Sequence, residues 1–101
     1  MNVAKMMKDL QKMQAKMQEG IDNIEAEASS GGGMVTVRMN GKKELMSLKL
    51  SPDAITPDDP DLLEDLVIAA VNEVGRKVDE QMQELTQGMA GGLNIPGMPG
   101  I

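Results

Sequence analysis

Apolar residues recur near the start of the chain at Val3, Met6, Leu10, Met13 and Met17, a 3,4,3,4 spacing that Ile21, Ile24 and Ala28 continue after one extra step of four. At about 100° per residue these positions share one arc, which predicts an amphipathic helix over 3–28. The seam is narrow, like the a/d stripe of a coiled coil, and the extra four acts as a stutter. Gly20 sits at that change of register and weakens the helix by about 1 kcal/mol relative to Ala. The pattern then changes period. Met34–Asn40 and Leu45–Leu50 alternate, and Asn40-Gly41 signals a two-residue hairpin turn. That turn sets Val35 opposite Met46 and Val37 opposite Glu44, with Val35, Val37, Met39, Met46, Leu48 and Leu50 on one face.

Ser51-Pro52-Asp53 breaks the second strand, and an acidic, proline-punctuated loop leads to Pro60. A second helix is expected from there, with Asp59 as N-cap and Pro60 at the first helical position. Its first half, LLEDLVIAAV (62–71), is apolar around most of its circumference; its second narrows to a seam at Val74, Val78, Met82 and Leu85. From Gln87 the chain turns Gly/Pro/Met-rich, a composition that buries little. The expected fold is therefore α+β: a long N-terminal helix, an antiparallel β-hairpin or small sheet, and a long C-terminal helix. Residues 1–86 form one domain and 87–101 a flexible tail. A first helix of about 39 Å exceeds a domain whose radius of gyration should be about 13 Å. It must project, and its seam residues Met6, Leu10, Met13 and Met17, with Val74 and Val78, need a partner surface. Part of that cover is the second helix, and a second copy in a homodimer supplies the rest.

Charge adds a second theme. The net charge of -6 hides an asymmetry: residues 1–50 hold eight Lys/Arg against six Asp/Glu, and 51–101 two against ten. Within 1–18, Lys5, Lys8, Lys12 and Lys16 face only Asp9. The absences exclude much. There is no Cys for disulfides or thiolate ligands, no His for general base or metal, and no aromatic ring to stack on bases. No apolar run is long enough to span a bilayer, and no signal-type h-region opens the chain. The reading is a cytoplasmic, non-enzymatic protein without metal, cofactor, membrane or small-molecule substrate.

The four lysines lie within about 80° of one another, centred about 145° from the apolar stripe. A solvated face usually mixes signs; this one does not. Bases nearly opposite an apolar seam do not suit a membrane surface, where they would flank it. They suit duplex DNA, whose phosphates a projecting rod of point charges can follow without reading bases. Arg76 and Lys77, the only bases in the second half, read either as helix salt-bridge partners or as an extension of the basic surface. Lys42 and Lys43 read as turn solubilisers. The rival function is a dimeric helical adaptor that binds another protein, with lysines that only solubilise.

Taken together, MKDLQKMQAKMQE, the Gly-x-Val-x-Val-x-x-Asn-Gly pattern from Gly33 to Gly41, a strand ending LKLSP, and LLEDLVIAAVNEVGRKVDE resemble the YbaB/EbfC family of bacterial nucleoid-associated DNA-binding proteins. The resemblance covers nearly the whole chain. It implies a homodimer with projecting helical arms that binds duplex DNA with limited sequence preference in the nucleoid, organising the chromosome or influencing gene expression. It also implies DNA-binding roles for Lys16, Arg76 and Lys77; Lys5, Lys8 and Lys12 join them from the wheel. Gly20 departs from the acidic or polar residue of the family pattern, which bears on the straightness of the arm.

Overall fold

The computed structural model describes residues 2–92, the side chains of 89–92 excepted. The chain forms α1 (Val3–Asp22), β1 (Glu25–Ser30), β2 (Val35–Asn40), β3 (Leu45–Leu50), a short 3-10 turn (Pro52–Ala54) and α2 (Pro60–Gly92). The strands make one antiparallel sheet in the order β1-β2-β3. Caps fix the helix starts. Asn2 Oδ1 accepts from the Lys5 amide at 3.2 Å, and Asp59 Oδ1 from the Leu62 amide at 3.2 Å, with Pro60 at the first helical position as expected. α2 runs past Gln87 to Gly92, into the first residues of the Gly/Pro/Met segment; 93–101 of the expected flexible tail lie outside the described residues.

α1 is shorter than the seam implies. It ends at Asp22, and EAEASS (25–30) is a strand. Ile24 and Ala28 fit the helical spacing, and alanine favours helix, but Ala26 and Ala28 also alternate with Glu25, Glu27 and Ser29. Pairing decides between the two periods. β1 matches β2 residue for residue, from Glu25↔Asn40 to Ser30↔Val35, which buries both alanines beneath α2. Tertiary context here overrides helix propensity.

The hairpin register also differs from the two-residue turn. Val35 pairs with Leu50, Val37 with Leu48 and Met39 with Leu45; the register shifts between Arg38 and Met39, leaving Met46 as the extra residue. The loop is Gly41-Lys42-Lys43. Asn40 closes it: its carbonyl accepts from the Lys43 amide, and its Oδ1 accepts from the amides of Lys42 and Glu44 at 2.9 and 3.0 Å. Lys43 takes the left-handed conformation at φ 65. Gly41 is glycine for steric reasons, because a Cβ there would run into the Ile21 carbonyl oxygen and Ile24 Cβ.

The core lies between α2 and two of the three strands. Val35, Val37, Ala70, Val74 and Val78 are fully or almost fully buried, with Ile24, Ala26, Ala28 and Met39 around them. A succession of contacts shows that α2 runs antiparallel to β1 and then to α1. Ser30 Oγ donates to the Leu66 carbonyl at 2.6 Å, Lys77 Nζ to the Glu27 carbonyl at 2.8 Å and Gln81 Nε2 to the Glu25 carbonyl at 3.2 Å. Leu85 then packs on Gly20, where an added Cβ would lie 2.6 Å from the Leu85 Cδ1. Gly20 thus lets the two helices approach. The result is elongated, 70 × 27 × 15 Å, with a radius of gyration of 19.6 Å. Gly41→Ala is expected to cost about 1–3 kcal/mol, the usual range for overpacking, measured as a lower urea midpoint at unchanged m-value.

Candidate nucleic-acid interface

Lys5, Lys8, Lys12 and Lys16 are all exposed on α1. Among the described residues none of them takes part in an ion pair. The body's cations behave differently. Arg38 pairs with Glu25, Arg76 with Glu73, and Lys43 with Asp79 at 2.9 Å. The arm therefore carries four lysines outside any ion pair, whereas on the body Arg38, Lys43 and Arg76 are paired in place and Lys42, Lys49 and Lys77 are not, among the described residues.

The structure separates Arg76 and Lys77. Arg76 faces the β2–β3 turn, in an open groove of about 420 Å³ lined by Met39, Lys43, Val71, Asn72, Gly75 and Asp79. Lys77 lies over β1, where it and Gln81 donate to carbonyls along that strand. At 1.5 Å per residue, Arg76 lies about 13 Å from the Gly20–Leu85 contact on the sheet side, and Lys5 about 22 Å from it on the far side. The six cations are thus strung along one axis, not gathered into a patch. Sequence reasoning missed Gln81 as a cap on β1, and took Lys43 for a solubiliser although it ties the turn to α2. The left-handed geometry of Lys43 has no strong sequence signal, since Asn-Gly pointed to a shorter loop.

The seam residues also divide. Val74 and Val78 are buried within their own chain, Met13, Met17 and Ile21 are half-buried, and Val3, Met6 and Leu10 are 63%, 52% and 58% exposed. α2 covers β1 and β2 and leaves most of β3 open. Leu45 and Leu48 are exposed on the core side of the sheet, and Leu63, Val67 and Ile68 of α2 border an open apolar groove. Arg76 donates to Glu73 and holds its carboxyl below the usual carboxylate range. That pairing is present above the ordinary carboxylate pKa and is lost as pH falls through the lowered one, which frees the guanidinium.

These features define a class: a small α+β protein with an acidic body and a projecting helix that bears four exposed lysines outside any ion pair among the described residues. No helix among the described residues is long and apolar enough to cross a membrane. Residues 1–93 match the model of the YbaB/EbfC DNA-binding family, and the chain belongs to that family. It is 45% identical over 101 residues to a nucleoid-associated protein of Clostridium novyi, covering 97% of this chain and 89% of that one. It is 46% identical over 96 residues to another from Afipia carboxidovorans, covering 92% and 91%. Its fold matches the crystal structure of an uncharacterized protein from Helicobacter pylori with a TM-score of 0.73 at 25% identity, over 89% of this chain and 98% of the other. Glu73→Gln, which mimics the protonated carboxyl, is expected to tighten duplex binding about two- to threefold at low salt and to steepen the salt slope by at most about one, read by gel shift.

Proposed function

We propose that this chain is a homodimeric nucleoid protein that holds duplex DNA through phosphate contacts from the α1 lysines, with limited sequence preference, and so organises the chromosome or influences gene expression. The observation that carries this reading is the contrast in pairing. On the body Arg38, Lys43 and Arg76 have carboxylate partners while Lys42, Lys49 and Lys77 do not, whereas on α1 all four of Lys5, Lys8, Lys12 and Lys16 lack one among the described residues and share one exposed face. Lysine offers a flexible point charge that follows a phosphate line without reading base edges. Arg76 joins once its hold on Glu73 is relaxed, and Lys77 has donor capacity beyond its single carbonyl contact. The nucleoid-associated names of the relatives support a place in the nucleoid, within the cytoplasm.

The two edges of the sheet support the dimer in this reading. Lys77 and Gln81 close off β1, whereas β3 has no such side-chain donors among the described residues and exposes Leu45, Met46 and Leu48. An open apolar edge strand is a template for pairing. The apolar groove along Leu63, Val67 and Ile68 adjoins the same uncovered side. A second copy meeting the first there buries both features and leaves the arms projecting.

The adaptor reading draws on the exposed Val3, Met6 and Leu10, and two experiments separate it from DNA binding. If about six phosphates are neutralised, duplex affinity falls about a thousandfold between about 50 and 200 mM salt. Replacing Lys5, Lys8, Lys12 and Lys16 with Glu abolishes the shift while the assembly keeps its mass. Salt-insensitive binding, or binding that survives the charge reversal, sinks the phosphate mechanism. For the dimer, native mass spectrometry should give twice the 10.8 kDa chain mass. Leu48→Lys should shift the population to single chains, and an unchanged mass for that variant overturns the β3 interface.

A further inference from the structure

The distal half of α1 has a seam with nothing on it. Val3, Met6 and Leu10 are more than half exposed, while Met13, Met17 and Ile21 of the same stripe are half-buried where α2 runs alongside. The 3,4 spacing runs unbroken from Val3 to Met17, so the exposed part is the continuation of an existing helix–helix seam and is shaped for another helix. We infer that the α1 tips of two DNA-bound copies pair through this stripe and thereby bridge two duplexes.

Symmetry supplies the partner surface. An isologous contact needs only one patch that complements itself. In an antiparallel arrangement about a two-fold axis, Val3 lies against the other copy's Leu10, with Met6 beside the axis. Methionine adapts to such a contact without a preformed fit.

Size and charge set the condition. Val3 to Leu10 covers only about 11 Å of helix, too little for the roughly 1,200 Å² that a stable interface buries. Four lysines on each arm also repel their counterparts. Duplex DNA removes both obstacles. Its phosphates neutralise the lysines, and tethering on the same or neighbouring duplexes supplies an effective concentration in about the millimolar range. The inference therefore rests on the reading that the α1 lysines hold DNA.

The consequence lies in the geometry of the two stripes. The lysine arc is centred about 145° from the apolar seam, so joining two seams turns the arcs outward on opposite sides. Each outer face then meets its own duplex. A membrane would need the lysines to flank the seam, which they do not.

The test uses a bead-bound duplex and a labelled free duplex at about 50 mM salt. The unaltered protein should retain the free duplex on the beads. Met6→Gln with Leu10→Gln, both at exposed positions and neutral in charge, should lower that capture about tenfold while single-duplex binding stays within about twofold. The chain has no cysteine, so Met6→Cys supplies a unique thiol, and oxidation should give a disulfide-linked pair with duplex present and single chains without it. If the unaltered protein fails to shift a single duplex, the DNA reading itself falls. A normal shift without capture, or capture indifferent to the glutamine pair, overturns tip pairing alone. So does a disulfide that forms equally without DNA, as arms meeting inside one dimer would give. Shielding of the introduced thiol from maleimide in the free protein, as cover by residues 93–101 would give, overturns it too.

Discussion

Everything in this molecule depends on one helix packing across two strands of a three-stranded sheet. An α-helix with side chains is about 10 Å across, and neighbouring strands lie about 4.8 Å apart. A single helix therefore covers about two strands. Ala26 and Ala28 let α2 settle close to β1, and Val74 and Val78 fill the space against Val35 and Val37. Burying each such valine fully contributes about 1.5–3 kcal/mol, which makes this short run the core of the chain. The third strand is left with leucines facing an unfilled space. That imbalance leaves one edge of the sheet apolar and uncovered by the chain's own helix.

The same helix then continues beyond the sheet. Once past Glu25 it has no strand to cover, and its seam passes from the sheet to α1 at Gly20. There the glycine gives up helix propensity and gains a close approach. The charges follow this division into body and arm. On the body, carboxylates pair with Arg38, Lys43 and Arg76, and the first two of these pairs tie β2 to β1 and the β2–β3 turn to α2. On the arm, the four lysines are exposed and outside any ion pair among the described residues.

Much of this was legible in the chain. The Met/Leu stripe, the alternation of β2, the Asp59-Pro60 helix start and the α+β class are local patterns that packing leaves intact. The family match follows from the same stretches. β1 was hidden because EAEASS satisfies both a helical and a strand period, and only pairing with β2 separates them. The β2–β3 register was hidden because Asn40-Gly41 fits a shorter turn. What excludes that turn is three hydrogen bonds to Asn40 and the proximity of Ile21, none of which can be read from the dipeptide itself. The lysine face could be drawn on a wheel, but the different partners of Arg76 and Lys77 depend on which side of α2 meets which strand.

Gly41 has a role beyond its turn. It sits against the last carbonyls of α1, at the point where the arm joins the sheet, and Gly20 fixes the arm again against Leu85. Two points of attachment fix how α1 leaves the sheet, and so where its far end, with Lys5 and Lys8, is held. The direction of the arm is thus set by a hydrogen atom standing where any side chain would meet the Ile21 carbonyl oxygen.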